Sequence, residues 1–101
     1  MLCVAVAHVG GGNDPHNSTA AYQCSTVKNG DGDYAITLTD SAVAFQRTFP
    51  LYAVVDTTGG AHATVEMDYA SGVTWNLKIR RGAALVDDVH VHVVFVDLEP
   101  L

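Results

Sequence analysis

Two histidines separated by one residue lie near the end of the chain, in the Val-rich segment VHVHVVFV. In an extended strand successive side chains point to opposite faces, so His90 and His92 project from the same face. Imidazole nitrogens bind zinc, iron, nickel and copper, so the pair predicts a metal site. Because two ligands do not complete a site, the others must come from elsewhere in the chain or from symmetry. On a threefold axis, three pairs would supply six nitrogens to Fe or Zn.

The interpretation that we prefer for the same segment involves no metal and no cofactor. Val89, Val91, Val93 and Phe95 alternate with the two histidines and would face the core. The histidines would then face solvent or a subunit contact. In a tight trimer contact, protonation near pH 6 would place like charges together and loosen the assembly.

Period-two alternation of apolar and polar residues dominates the chain and predicts β-strands. In segment 73–80, for example, Val73, Trp75, Leu77 and Ile79 alternate with polar residues. The segments NGDGD at 29–33 and ASG at 70–72 are predicted turns. The predicted strands are 2–9, 25–28, 34–38, 51–57, 63–69, 73–80 and 88–98.

About seven short strands predict an all-β fold, an antiparallel β-sandwich or a Greek-key, jelly-roll-like barrel. Only segment 40–49 offers a short helix as an alternative. Residues 1–19 are predicted to form an N-terminal strand or arm with a glycine-rich link, and residues 20–101 a β-sandwich domain. The first strand either pairs within its own subunit or docks on a neighbouring chain.

Composition excludes several classes of partner. The formal net charge is −6, from five Lys and Arg against eleven Asp and Glu. The one basic cluster is Lys78, Arg80 and Arg81, which is too little for a nucleic-acid surface. No apolar run is long enough to cross a bilayer, and the N-terminus lacks the basic region of a signal peptide. We therefore expect neither nucleic-acid nor membrane binding.

Catalysis finds no support in the sequence. GxSxG, P-loop and GxGxxG motifs are absent, and His8, His16 and His62 are scattered without an evident nucleophile. Cys3 and Cys24 lie in predicted strands, where we expect two buried thiols, with one disulfide as the alternative. The chain is therefore not expected to be an enzyme.

Residues 24–96 resemble a β domain of tail fibres and other virion proteins of tailed bacteriophages. The resemblance rests on the segments GDGDYAITL, PLYAVVDT, TWNLKIRRGAALVDD and VHVHVVFV. It implies a trimeric, non-enzymatic structural protein made in the host cytoplasm and located in the virion. The family usually has small residues where His90 and His92 stand, but related spikes and fibres bind iron through such pairs on a threefold axis.

The chain has no fibrous shaft, so within this family we expect a small capsid decoration or cement subunit. Its partners would be its own copies in a homotrimer and the major capsid protein or other virion proteins, with residues 1–19 binding neighbours by strand addition. The alternative is a tail-fibre or spike domain that recognises a host glycan or protein. Aromatic stacking platforms would then be Tyr22, Tyr52, Tyr69 and Trp75, although each is expected in the core.

Overall fold

The computed structural model describes residues 2–11, 21–39, 47–55 and 62–98. Within these ranges the chain is all β and contains no helix. Seven strands have at least six residues and one, β7, has two. The strands are β1 (Leu2–Gly10), β2 (Cys24–Gly30), β3 (Asp33–Leu38), β4 (Thr48–Val55), β5 (Thr64–Ser71), β6 (Thr74–Arg81), β7 (Ala84–Leu85) and β8 (His90–Asp97).

The strands form two antiparallel sheets. The first has the order β1-β8-β4, and the second has the order β2-β3-β6-β5 with β7 paired to β6. In the described ranges, an isolated bridge connects Val6 of β1 to Tyr22, which lies two residues before β2. Its backbone hydrogen bonds are 3.0 and 2.8 Å long. This architecture confirms the predicted all-β fold and is compatible with a β-sandwich.

The core lies between the sheets and is built by the alternation predicted from the sequence. Trp75, Leu77 and Ile79 of β6 are buried, and the polar residues between them are not. In β8 the predicted inward face is confirmed, because Val89, Val91, Val93 and Phe95 have no exposed surface. The remaining core residues are Ala5, Ala7, Val9, Tyr34, Ile36 and Leu38.

Both predicted turns are confirmed. Asp31 and Gly32 connect β2 to β3, and Gly72 and Val73 connect β5 to β6. Gly32 has a φ of +67° and passes so close to the backbone of Val86 that a Cβ would overlap it. A glycine is required there both by conformation and by space.

Strand β4 begins earlier than predicted. Thr48 and Phe49 are already paired with β8, so they do not belong to the alternative helix over 40–49. Residues 40–46 of that segment lie outside the described residues. Pro50 lies within β4, which is possible because β4 is the edge strand of its sheet.

The first strand pairs with β8 of the same chain and contributes Ala5, Ala7 and Val9 to the core. Removing residues 1–19 would therefore remove a core strand. The register of β1 shifts between Cys3 and Ala5, which places Cys3 opposite Val96 on the outer side of the sheet. This bulge explains why Cys3 is exposed, so the expectation of two buried thiols is wrong. Both cysteines are free, Cys3 is exposed and Cys24 is only partly buried.

Candidate functional site

The two predicted histidines lie on the outer face of the β1-β8-β4 sheet, opposite to the core. His90 is partly buried and His92 is exposed. The antiparallel register places His8 of β1 directly opposite His92 and Gly10 opposite His90. Three imidazoles from two strands therefore meet on one face. We call His8, His90 and His92 the histidine cluster.

The closest contact in the histidine cluster is a hydrogen bond between Nε2 of His8 and Nδ1 of His90, 3.0 Å apart. The two rings are nearly parallel, at 5°, and their centres are 5.2 Å apart. The distance between the two ring centres is longer than the distance between the two nitrogens by about twice the distance from a ring centre to its own nitrogen. The two nitrogens therefore lie on the line that joins the ring centres. One nitrogen must donate and the other accept, and such a bond contributes about 0.5–1.5 kcal/mol. His92 stacks on His8 at 4.7 Å.

Glycine makes room for this arrangement at the end of β1. Gly11 has a φ of +81°, and a Cβ there would lie 2.5 Å from Cε1 of His90. Its backbone N–H donates to the carbonyl of Val89 over 2.8 Å. The His90 imidazole thus packs against the Gly11 backbone, which accounts for one of the three glycines at 10–12.

The sheet face around the histidine cluster carries no charge. Besides Gly10, which has no side chain, register assigns eleven residues of the three strands to this face, and none is Lys, Arg, Asp or Glu. Leu51 and Val55, at 50% and 45% exposure, are open to solvent. We call this surface the outer face. It consists of Cys3, Val6, His8, Phe49, Leu51, Ala53, Val55, His90, His92, Val94 and Val96.

In the described ranges, no three His, Cys, Asp or Glu side chains are arranged as a metal-binding group. In the histidine cluster the reason is geometric, because the hydrogen bond aims one nitrogen of His8 at one of His90 rather than both at a common point. Metal binding by His90 and His92 therefore stays a prediction. Sequence reasoning missed His8, since only the pairing of β1 with β8 could identify it. His62 is exposed, and His16 lies outside the described residues.

A second polar cluster surrounds the buried carboxylate of Asp87. Nζ of Lys28 lies 2.6 Å from Oδ2 of Asp87, and the Tyr34 hydroxyl donates to Oδ1 over 2.5 Å. Burial, followed by this hydrogen bond and the charge of Asp87, raises the pKa of Tyr34 well above its usual range. The phenol therefore stays protonated at neutral pH. This cluster joins β2, β3 and the segment before β8, and its role is structural.

The basic residues of β6 are matched by carboxylates. Nε of Arg80 lies 2.6 Å from Glu66, and Nη1 of Arg81 lies 2.7 Å from Asp88. Lys78 is paired in register with Asp33 on one side and with Glu66 on the other. Two of the three residues of the basic cluster thus form ion pairs, and Lys78 lies between two acidic residues in register.

The aromatic residues differ from the expectation that all four lie in the core. Trp75 is buried at 4% exposure, but Tyr22, Tyr52 and Tyr69 are 58%, 47% and 40% exposed. Tyr52 and Tyr69 lie on β4 and β5, which are edge strands among the described residues, so one flank of each residue has no described strand beside it. Tyr69 meets Trp75 edge to face, with ring centres 5.3 Å apart.

The described ranges hold no helix long and apolar enough to cross a membrane. No family model matches the chain, and neither a curated protein nor a solved structure is significantly similar to it.

Proposed function

We propose that this chain is a non-enzymatic structural subunit of a tailed-bacteriophage virion, a small capsid decoration or cement protein that assembles as a homotrimer. The virion part of the proposal rests on the resemblance of residues 24–96. The assembly part rests on one observation, the uncharged and apolar outer face. The major capsid protein or another virion protein is the further partner.

An antiparallel sheet with one solvated face normally alternates apolar and polar residues. Here β8 is apolar on both faces apart from its two histidines and its last residue, Asp97. Three strands and four rows of side chains span a sheet area of about 400 Å². The exposed apolar part is smaller, because Val96 is buried and Val6, Phe49 and Val94 are only partly exposed. The whole sheet area is about half of one partner's share of a standard interface. We therefore expect a self-association that depends on concentration.

The distribution of charge also favours the outer face as the contact between copies. The chain carries a formal net charge of −6, so copies repel one another over most surfaces. The outer face contributes nothing to that repulsion. Because β1 is paired within its own chain, assembly through this face requires no strand exchange.

The test is sedimentation velocity over a concentration series, with the wild type and two variants. Leu51→Asp places a charge in the outer face, whereas the control Val27→Asp places the same charge at a 56% exposed residue of the other sheet. We expect a trimer for the wild type and for Val27→Asp, and a monomer for Leu51→Asp. A trimer that persists in Leu51→Asp would reject the outer face as the contact. Binding to capsids, measured by co-sedimentation, tests the virion role separately.

The second candidate is a tail-fibre or spike domain that binds a host glycan or protein. The exposure of Tyr22, Tyr52 and Tyr69 favours it, because solvent-facing aromatic rings can stack on sugars. A glycan array distinguishes the two functions. One related set of sugars that binds, and that is lost in Tyr52→Ala, would favour the receptor-binding function; an array without binding would leave the decoration function as the better account.

A further inference from the structure

We propose that His8, His90 and His92 form a mononuclear site for a late first-row divalent metal ion, with Zn²⁺ as the reference ion, inside a single chain. This site differs from a clamp on a threefold axis, which would use only His90 and His92 from three chains. It is also independent of the proposed virion role, because all three ligands belong to one subunit.

The backbone already places the three ligands at suitable positions. His90 and His92 are two residues apart on β8 and share a face, and His8 is the cross-strand neighbour of His92. Directly opposite residues have Cβ atoms about 4.5–5.5 Å apart. Imidazoles from such neighbouring positions can reach one ion, as three histidines do in catalytic zinc sites.

The nitrogen positions need only a small change. The two hydrogen-bonded nitrogens of His8 and His90 are 3.0 Å apart. In a tetrahedral zinc site with Zn–N bonds of about 2.0–2.1 Å, two ligand nitrogens are about 3.3–3.4 Å apart. The pair must therefore separate by a few tenths of an ångström and turn both nitrogens toward a common point. The donating ring must also move its proton to its other nitrogen, so that both facing nitrogens have a lone pair for the metal. His92 is exposed and stacks on His8, so its ring lies beside the pair.

The donor atoms available at the proposed site determine which metal ions it can bind. The outer face has no carboxylate, so the donor set is three neutral nitrogens, which suit Zn²⁺, Ni²⁺ or Cu²⁺ and not Mg²⁺ or Ca²⁺. Because His92 is exposed, a fourth position is open to water or to a donor from another molecule. The direct hydrogen bond between His8 and His90 satisfies those two nitrogens when no ion is bound.

The experiment is native mass spectrometry and titration calorimetry with ZnCl₂ on the untagged full chain, together with Co²⁺ absorption spectroscopy. We expect one metal per chain and the strong visible bands of a tetrahedral Co²⁺ site. His8→Ala, His90→Ala and His92→Ala should each weaken Zn²⁺ binding at least tenfold. His62→Ala is the matched control, since His62 is exposed and outside the histidine cluster, and should leave binding unchanged.

His8→Ala is the decisive variant. One metal per three chains that survives His8→Ala would overturn the proposal in favour of an axial clamp. Absence of Zn²⁺ binding, or equal loss in His62→Ala, would also overturn it. His8→Asn is the second variant if His8→Ala fails to fold, with circular dichroism as the check. Leu51→Asp should still bind one metal per chain whether or not it forms a trimer, which separates this result from the assembly test.

Discussion

The Tyr34 hydroxyl is the group whose contribution to the free energy of unfolding can be calculated most directly. Tyr34 has no exposed surface, and its hydroxyl donates to the buried carboxylate of Asp87. Tyr34→Phe keeps the ring in the core and removes this donor, together with the hydrogen bond between the hydroxyl oxygen and the Gly10 backbone. A hydrogen bond to a charged group contributes about 1.5–3 kcal/mol, and Asp87 keeps its contact with Lys28. We therefore expect Tyr34→Phe to lower the free energy of unfolding by about 2 kcal/mol at pH 8.

The unfolding entropy, which scales with chain length, allows this loss of free energy to be expressed as a change in the melting temperature, Tm. With an unfolding entropy of about 2.1 cal/mol/K per residue, 101 residues give about 0.21 kcal/mol/K. A loss of about 2 kcal/mol then lowers Tm by about 9 °C. The control is Tyr69→Phe, whose hydroxyl donates to the Gly72 carbonyl at an exposed site. That variant should change Tm by about 2 °C or less.

The pH dependence of the same variant tests the cause. The pKa of Tyr34 is raised from its ordinary value of 10.0 in the folded chain. Above pH 10 the unfolded chain therefore releases a proton that the folded chain retains, and stability falls as pH rises. By pH 11 the release of the Tyr34 proton in the unfolded chain lowers the free energy of unfolding of the wild type by about 1.4 kcal/mol. Tyr34→Phe has no hydroxyl proton at this position and does not lose this stability.

The stability difference between wild type and Tyr34→Phe should thus shrink by about 1.4 kcal/mol between pH 8 and pH 11. Urea denaturation at pH 8, 9, 10 and 11 measures it, and the other tyrosines cancel in the comparison. A difference that is below about 0.5 kcal/mol at pH 8, or that does not change with pH, would refute the role assigned to the Asp87 cluster.

Three further predictions concern single sites. Gly11→Ala should lower Tm and shift the NMR signals of the His90 ring, because a Cβ would lie 2.5 Å from that ring; an unchanged His90 spectrum would contradict this contact. Thr48→Val should stabilise the fold by about 1 kcal/mol in urea denaturation, since the buried Thr48 hydroxyl has no hydrogen-bond partner among the described residues; a loss of stability would show that the hydroxyl is used. With a thiol reagent at pH 8, exposed Cys3 should react faster than Cys24, because burial raises the pKa of the Cys24 thiol; equal rates would argue against it.

The elements of the fold follow closely from local sequence pattern. Alternation in 73–80 predicted which residues of β6 are buried, and NGDGD predicted the turn before β3. These features depend on neighbours within a few residues, where period and turn chemistry are direct evidence. The strand order β1-β8-β4 was not predictable in this way, because pairing between distant segments leaves no local pattern.

The expectations that Cys3 and Tyr69 are buried were wrong because strand pairing also depends on distant parts of the chain. Alternation alone puts Cys3 inward with Ala5 and Ala7, but the register shift between Cys3 and Ala5 reverses its direction. Tyr69 shares a face with Trp75, yet it is exposed because β5 is an edge strand. For Tyr69 the local period was right and the position of the strand in the sheet decided the exposure, whereas for Cys3 the register shift broke the period.

The histidine cluster illustrates how a site can arise from long-range pairing. HVH alone marked His90 and His92, and nothing in the sequence distinguished His8 from His16 or His62 as the third member. Pairing of the first strand with the last places His8 beside them, 82 residues from His90 in sequence. A mutation that shifts this register by one residue would turn His8 into the core and separate it from the cluster.

The histidine cluster and the proposed assembly contact share the outer face, so metal binding and self-association should affect each other. If copies associate through Leu51 and Val55, the neighbouring His90 and His92 lie at the contact, because Val55 pairs with His90 in register. A metal ion bound there would bring two positive charges into an otherwise uncharged interface, and burying a charge without a partner is costly. Zn²⁺ should therefore weaken self-association of the wild type, unless the facing subunit supplies a ligand to the open position. Sedimentation with and without Zn²⁺ decides between the two: dissociation indicates competition for the outer face, and tighter association indicates a ligand from the neighbouring copy.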